Sequence, residues 1–338
     1  MMKEPLVSII IVNWNGGRVF EDCLESLKNL KYPNYELIVF DNGSNDGTEK
    51  YATIQSNKNL GFVGGNNKAI KRASGKYILL LNNDTKVPDD LLNVLVSKIE
   101  SDSRIGVIQP KILIMDSPYY LDNAGSFITK IGFFRHWGFQ KRDSKEFGFE
   151  KEIFSAKGAC MLIRNDLIDK IGLFDEDYFA YFEESDFCWR VWLNGYKVVF
   201  YPKTFIYHKV GFTIKRQNVL ELNYHYYKNR ISSLIKNLDN FNVLWIVPLH
   251  IVLSLGIAFI FFIRGSIRNP LIILRAIWWN IKNLPKILSK RSKVQKLRNV
   301  SDNYIFNTVG RKINICKLLL FKDPFFKDFK RIEKDIAK

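Results

Sequence analysis

Three short apolar runs and one short, more polar strand in the first 85 residues each lead into an asparagine or aspartate, and this rhythm restricts the chain to few architectures. Leu6-Val-Ser-Ile-Ile-Ile-Val12 stops at Asn13 and Tyr35 to Phe40 stops at Asp41. A short strand around Thr53 to Ser56 precedes Asn59, and Tyr77-Ile-Leu-Leu-Leu81 leads through Asn82 and Asn83 to Asp84. Runs this apolar, without polar alternation, read as strands buried on both faces. Between the first two, Arg18 to Leu30 places Val19, Phe20, Cys23, Leu24, Leu27 and Leu30 at helical spacing. Strand, polar break and helix in alternation predict an α/β fold with a mostly parallel sheet flanked by helices, which binds ligands at the C-terminal ends of its strands. One Asn or Asp at a strand end reads as a turn residue satisfying its own backbone. Four at one edge of a sheet point to a binding crevice.

The loops carry the same message. Asn13-Trp-Asn-Gly-Gly17 and Asp41-Asn-Gly-Ser-Asn-Asp-Gly-Thr48 are dense in turn residues, and Asn57-Lys-Asn-Leu-Gly-Phe-Val-Gly-Gly-Asn-Asn67 is expected to open a helix over Lys68 to Ala73. Glycines at a helix entrance can present backbone donors to a phosphate. A carboxylate such as Asp84 at a central strand end can hold a divalent cation through its oxygens.

These stretches, Val7-Ser-Ile-Ile-Ile-Val-Asn-Trp-Asn15, Asp41 to Thr48, Asn59 to Asn67 and Leu79-Leu-Leu-Asn-Asn-Asp-Thr85, resemble the successive motifs of family 2 glycosyltransferases, and most of all the rhamnosyltransferase-like branch. The resemblance runs from about Pro5 to about Arg230. It implies a GT-A (Rossmann-like) fold, an inverting hexosyltransferase activity, a UDP- or dTDP-sugar donor and Mg²⁺ or Mn²⁺ as cofactor. It further implies a nucleotide-sugar site of Asn13, Asp41, Gly43, Asn66, Asn83 and Asp84, with Asp41 accepting from the base, Asn13 lining the base pocket, and Asp84 on the metal. The family's Asp-x-Asp is Asn82-Asn-Asp84 here, one negative charge fewer.

The second half is less regular. Ile105 to Gln109 reads as a strand, the stretch from Lys111 to Phe154 gives no clear period, and Ser155 to Arg164 resumes as a strand entered through Gly158. Glu183, Glu184 and Asp186 precede the apolar run Phe187 to Leu193. Acidic residues in a first helical turn offset the helix dipole. By the resemblance to the family's Glu-Asp-x-Asp motif, Glu184 is instead the general base that deprotonates the acceptor hydroxyl, and Asp186 holds the helix start or the acceptor. Tyr181, Phe182 and Trp189 could stack on sugar rings, although this spacing also suits a core. After the strand Lys197 to Tyr201 and Pro202, Phe205-Ile-Tyr-His208 ends in a histidine that the resemblance makes the second metal ligand. Lys215 and Arg216 are expected in a lid over the diphosphate.

Charge separates the tail from this body. Of the net charge of +17, residues 264–338 supply +14, with 19 Lys and Arg against 5 Asp and Glu. Phe241 to Ile263 has no charged residue, and as a helix would be roughly 34 Å long, enough to span a bilayer core. Basic residues flank both ends, so a simple crossing would conflict with the positive-inside tendency. Asn269 to Leu288 mixes apolar and cationic residues as an in-plane amphipathic helix does. Together these features predict a monotopic or single-pass association with an anionic membrane at its cytoplasmic face, with a soluble helical hairpin as the alternative. The adjacent apolar segment makes lipid a better partner for the cations than nucleic acid. The four cysteines are scattered without metal or disulfide spacing.

The expected organisation is therefore residues 1–110 as the nucleotide-sugar half, 111–222 as the acceptor half with the base, and 223–338 as a basic membrane-associating helical region. The expected activity is sugar transfer to a lipid-linked saccharide or polysaccharide precursor, and a homo-oligomer is compatible with it. A sugar nucleotidyltransferase would want a basic Gly-rich loop after the first strand, and only Arg18 is near. A catalytically silent nucleotide-binding scaffold would not need Asp41, Asp84, Glu184 and His208 together.

Overall fold

The computed structural model describes residues 4–211 and 219–312. Lys215 and Arg216, proposed for a lid, and Cys316 lie outside the described residues.

The first half alternates β1 (Val7–Asn13), α1 (Gly17–Lys28), β2 (Tyr35–Asp41), a 3₁₀ turn (Thr48–Tyr51), β3 (Ile54–Gln55), α2 (Gly61–Ile70), β4 (Tyr77–Leu81), β5 (Thr85–Lys86) and α3 (Leu91–Ser101). Then follow β6 (Ile105–Ile114), β7 (Ser117–Asn123), β8 (Ser126–Thr129), β9 (Phe134–His136), β10 (Lys151–Glu152), β11 (Cys160–Arg164), α4 (Asn165–Ile171), α5 (Glu183–Leu193) and β12 (Lys197–His208). The chain continues as α6 (Val219–Asn237), α7 (Asn240–Ile263), α8 (Arg268–Lys282), α9 (Leu284–Lys296), α10 (Asp302–Val309) and β13 (Gly310–Arg311).

The main sheet has the order β10-β12-β6-β11-β4-β1-β2-β3. β3, β2, β1 and β4 are parallel, β6 and β12 are parallel to each other, and β11 runs antiparallel between β4 and β6. One reversed strand has a functional consequence. The C-terminal ends of β1, β2, β4 and β12 share an edge with the N-terminal entrance of β11, so Lys157 and Gly158 reach the edge that carries Asp84.

Side-chain alternation sorts the core into two layers. Val7, Ile9 and Ile11 of β1 pack with Phe20, Cys23 and Leu27 of α1 and with α3, whereas Ile10 faces the layer of α2, α4 and α5. A third core joins α6, α7 and α8 to Ile131 and Phe133 of the β8–β9 turn. That small sheet, β13-β8-β9, is closed by the far end of the described chain.

Several expected boundaries move. The glycine stretch before Lys68 is itself helical, because α2 begins at Gly61. A Cβ at Gly65 would lie 2.6 Å from Val12, so this glycine serves helix-on-strand packing rather than a loop. The runs Lys197–Tyr201 and Phe205–His208 form one strand whose register shifts between Tyr201 and Phe205, which accommodates Pro202. The region from Lys111 onward continues β6 and folds into short strands whose twist and bends left no clean period. Residues 269–288 do not form one helix: the chain breaks at Asn283, and Pro285 starts α9.

Among the described residues, α7 is the one helix long and apolar enough to cross a membrane. It is half-enclosed by the protein: Ile246, His250, Leu253 and Ile257 are buried along one side.

Candidate active site

A cleft of about 380 Å³ opens at the C-terminal edge of the sheet, lined among others by Trp14, Asn42, Asn66, Asn83, Asp84, Lys157, Glu184 and His208. Each wall has a local cause. Gly61 takes φ +73°, and a Cβ there would meet the Phe179 carbonyl at 2.3 Å, so the start of α2 can close on the turn before α5. Asn42 fastens the same region, donating to Asn59 Oδ1 (3.0 Å) and accepting from Leu60 N–H (2.8 Å).

At the floor, β5 pairs with the end of β12 so that Thr85 stands opposite His208. This pairing brings His208 Nε2 to 3.1 Å from Asp84 Oδ1. The other ring nitrogen, Nδ1, lies 2.8 Å from Asp122 Oδ2, and Lys157 Nζ donates to both oxygens of Asp122 at 2.7 and 2.6 Å. A chain of charge thus runs Lys157, Asp122, His208, Asp84. Burial alone would lower the His208 pKa, but the carboxylates of Asp84 and Asp122 prevail and hold it up at about 9. Burial opposes ionisation of Asp122 as well, and Lys157 and His208 reverse it, keeping that carboxyl well below the usual range. Asp122 and Lys157 were not singled out in the sequence. Asp122 lies in the stretch without a clear period, and no local motif marks it.

The pair Asp84 and His208 suits a divalent cation. Asp84 Oδ1 is buried without a hydrogen-bond partner even though the imidazole is near. A histidine whose Nδ1 is bound to a carboxylate can present a lone pair at Nε2, the usual arrangement behind a metal-bound imidazole. No group of three or more His, Cys, Asp or Glu is placed to hold a metal among the described residues. Two such protein ligands would leave the remaining positions to oxygens of a bound substrate and water, which suits a divalent cation such as Mg²⁺ or Mn²⁺.

On the opposite wall, Tyr181 and Phe182 hold φ values of +66° and +74°, a costly conformation for side chains of this size. This turn is fixed from behind by Asn229 of α6, which donates to the carbonyls of Ala180 (3.1 Å) and Tyr181 (2.7 Å). It delivers Glu183 and Glu184 as the first two residues of α5. Both have one carboxylate oxygen buried and unpartnered. Burial raises the Glu184 pKa, with Lys157 pulling the other way, and burial together with Glu184 pushes Glu183 well above the carboxylate range. Glu184 is the less buried of the two. Asp186 does not reach the cleft. It accepts from Ser233 Oγ (2.8 Å), Asn237 Nδ2 (2.9 Å) and Arg190 Nε (3.3 Å) and pairs with Lys236 (3.1 Å), so it ties α5 to α6. Trp189 is buried in the core, while Tyr181 and Phe182 line the cleft.

The cleft therefore brings together Asn66, Asn83, Asp84, Glu184 and His208 of the sequence-derived set. Asn13, Asp41 and Gly43 sit just behind it. Asn13 donates to Thr48 Oγ1 (2.8 Å) and accepts from Asn83 Nδ2 (2.8 Å), and Asp41 Oδ2 accepts from the N–H groups of Gly43 and Ser44 (3.2 and 3.1 Å). In this arrangement the lining at that end is Val12, Trp14, Asn42 and Asn59. Asn66 is held by its donation to the Phe62 carbonyl (2.8 Å).

Residues 8–172 match the family model of glycosyl transferase family 2. Over 200 residues the chain is 28% identical to the low-salt glycan biosynthesis hexosyltransferase Agl10 of Haloferax volcanii, an alignment covering 54% of this chain and 61% of that protein. The chain thus spans less than two thirds of that relative's length. Among solved structures, S. aureus TarS 1–349 in complex with UDP-GlcNAc superposes with a TM-score of 0.54 at 17% identity, covering 98% of this chain and 91% of that one. The mannosyltransferase PcManGT of Pyrobaculum calidifontis, in complex with GDP-Man and Mn²⁺, gives 0.51 at 14% identity, covering 88% and 86%. The fold is GT-A.

Proposed function

We propose, for a chain built on a glycosyl transferase family 2 domain, that it is an inverting glycosyltransferase that moves a hexose or deoxyhexose, rhamnose among the candidates, from a UDP- or dTDP-sugar to a saccharide hydroxyl. The observation that carries this reading is the placing of Glu184 across one cleft from Asp84 and His208. A donor whose diphosphate lies over Asp84 and His208 would turn its anomeric carbon toward the Glu184 wall. Inversion requires attack from the face opposite the nucleotide, and the base must stand on that side. The raised pKa of Glu184 brings it nearer to neutral, where proton abstraction from a hydroxyl is more effective.

Asp84 and His208 would hold Mg²⁺ or Mn²⁺, which supplies charge stabilisation to the departing diphosphate. Complexes of a neighbour with GDP-Man and Mn²⁺ and of another with UDP-GlcNAc support a nucleotide sugar and a divalent ion. Asp122 fixes the tautomer and orientation of His208. Asn66 and Asn83 present amides to the donor, and Asn13, Asp41 and Gly43 shape the base end from beneath. We assign the acceptor to lipid-linked saccharide or polysaccharide precursors at the cytoplasmic face of a membrane, because relatives act in glycan biosynthesis and the apolar α7 adjoins the acceptor half.

The test is nucleoside diphosphate release from a panel of UDP- and dTDP-sugars, with membrane lipid extract as acceptor, with and without Mn²⁺ or Mg²⁺. Metal-dependent release that Glu184→Gln abolishes, with donor binding retained, is the expected result. Unchanged release by Glu184→Gln would remove this residue from the mechanism.

A further inference from the structure

Residues 240–296 contain nine Lys and Arg and neither Asp nor Glu. They form α7, α8 and α9, and the way these helices pack leaves two apolar stripes in the open. The exposed apolar residues of α7 include Phe241, Leu244, Trp245, Val252, Leu255 and Phe259, one face at helical spacing. On the neighbouring α8, counting Ile267 just before its first residue, they are Ile267, Leu271, Leu274, Trp278 and Ile281, again one face. Phe259 and Trp278 remain 62% and 64% exposed, which is unusual for such side chains when they adjoin other apolar ones.

The opposite sides of both helices are committed to the protein. Midway along α7, His250 is fully buried, its Nδ1 lies 2.9 Å from the Ile131 carbonyl, and its ring packs on Phe133 at 4.5 Å. Ile246, Leu253 and Ile257 follow the same side. A helix tethered at its midpoint to the β8–β9 turn cannot cross a bilayer without drawing that turn to the bilayer centre, together with Arg230, whose guanidinium stacks on the same Phe133 ring. Charge at that depth is strongly unfavourable.

We propose that α7 and α8 form an in-plane docking surface for an anionic lipid monolayer, inserting their two apolar stripes to headgroup depth without spanning the membrane. The charge pattern selects lipid over a second copy of the chain. Arg268, Arg275 and Lys282 recur every seven residues beside the α8 stripe; Arg275 is paired with Glu221 at 2.6 Å, so Arg268 and Lys282 are the cations of this row that border the inserted face, as on interfacial helices, and contribute to attraction toward anionic headgroups. A second copy would bring like charges together. This proposal refines the membrane part of the proposed function and is independent of the chemistry.

The experiment uses the full chain and vesicles of phosphatidylglycerol or phosphatidylcholine in flotation, without nucleotide. Preferential binding to phosphatidylglycerol, weakened by salt and reduced at least about tenfold by Phe259→Glu with Leu271→Glu, is expected, with circular dichroism unchanged because both positions are exposed. Topology is read with Phe241→Cys and Ile267→Cys, each in a Cys316→Ser background, using an impermeant maleimide on cells and on inverted membranes. Labelling of both positions from the cytoplasmic side supports in-plane docking, and labelling from opposite sides overturns it. Absence of vesicle binding, or dimerisation abolished by the same two charges, also overturns it. Donor turnover with a soluble saccharide, measured on the same Phe259→Glu/Leu271→Glu protein, should be unchanged. Loss of vesicle binding with turnover intact separates a failed docking surface from a failed transferase assignment.

Discussion

Replacing Asp122 by Asn tests the charge chain at the floor of the cleft. The substitution keeps the shape and removes the charge that His208 and Lys157 share. His208 stands between Asp122 at 2.8 Å and Asp84 at 3.1 Å, which hold its pKa at about 9 against an ordinary 6.5 despite burial. At about 1.4 kcal/mol per unit this is roughly 3–4 kcal/mol of preference for the imidazolium in the metal-free protein. Asp122 makes the shorter contact, so Asp122→Asn should lower the His208 midpoint by at least about one unit. A raised pKa contributes stability fully below the unfolded value and loses it as pH rises through the folded one. The His208 share therefore acts below about 6.5 and fades toward about 9. The Asp122 share has the opposite sign: it is present above the unfolded carboxyl value of 3.8 and lost as acid protonates the folded carboxylate. The variant thus loses both shares between pH 4 and 6.5, where destabilisation should reach about 3 kcal/mol, the lower end for breaking a buried pair because Lys157 keeps some water. Near pH 9.5 only the Lys157 share should be missing. Imidazole NMR reads the titration cleanly, since His136 and His225 are pushed down to about 4 and His250 further, chiefly by burial. Urea unfolding at pH 6 and 9.5 reads the stability. Mn²⁺ affinity should fall about 10- to 100-fold, as when the carboxylate behind a ligating imidazole is removed. An unchanged His208 midpoint, or equal destabilisation at both pH values, would refute the reasoning.

Gly61→Ala puts a methyl 2.3 Å from the Phe179 carbonyl at a φ of +73°, so it should cost about 2–4 kcal/mol in thermal or chemical unfolding and weaken nucleotide-sugar binding measured by calorimetry. The acid limb of kcat/KM should lie above the ordinary Glu range, because burial raises the Glu184 pKa. Lys157→Met, which removes the cation opposing that shift, should move the limb further toward neutral. Asn229→Ala frees the strained turn at Tyr181 and Phe182, and should lower kcat on the order of 100-fold while donor affinity stays within about threefold, since a misplaced base impairs only the chemical step.

Most of the strand ends at the cleft edge were legible from sequence because their signals are local. Apolar runs ending at Asn13, Asp41 and Asp84 encode strand and strand end within a few residues, and the parallel register of β1 with β2 sets Asn13 beside Asp41. What was illegible depends on long-range pairing. Asp122 reaches His208 across 86 residues, through β7 laid on β6 with two register shifts, and nothing near Asp122 announces it. Of the two roles read for Asp186, the helix start or the acceptor, the structure favours the first, and its partners were out of local reach: Ser233 and Asn237 lie on α6, 47 and 51 residues away. Helical glycines defeated the boundary of α2, because the same residues that suit a phosphate loop also permit the close approach to Val12.

The arrangement also explains why an apolar, basic set of helices accompanies this sheet. α6 is a shared wall. On one side Asn229 holds the turn that presents Glu184, while Ser233, Lys236 and Asn237 hold Asp186 behind it. On the other side α6 packs against α7, α8 and α9. α9 reaches past α6 as well: Lys290 pairs with Asp175 and Asp177 just ahead of the strained turn, and although burial opposes it, Lys236 and Lys290 hold the Asp175 carboxyl well below the usual range. The helices proposed to dock on lipid and the residues that position Glu184 therefore share α6 as one connection. On the proposed reading, a lipid-linked acceptor would enter from the membrane side and its hydroxyl would arrive at a set height above the docking plane. Coupling the proposed base to that plane through a single helix, rather than a flexible linker, would fix the height.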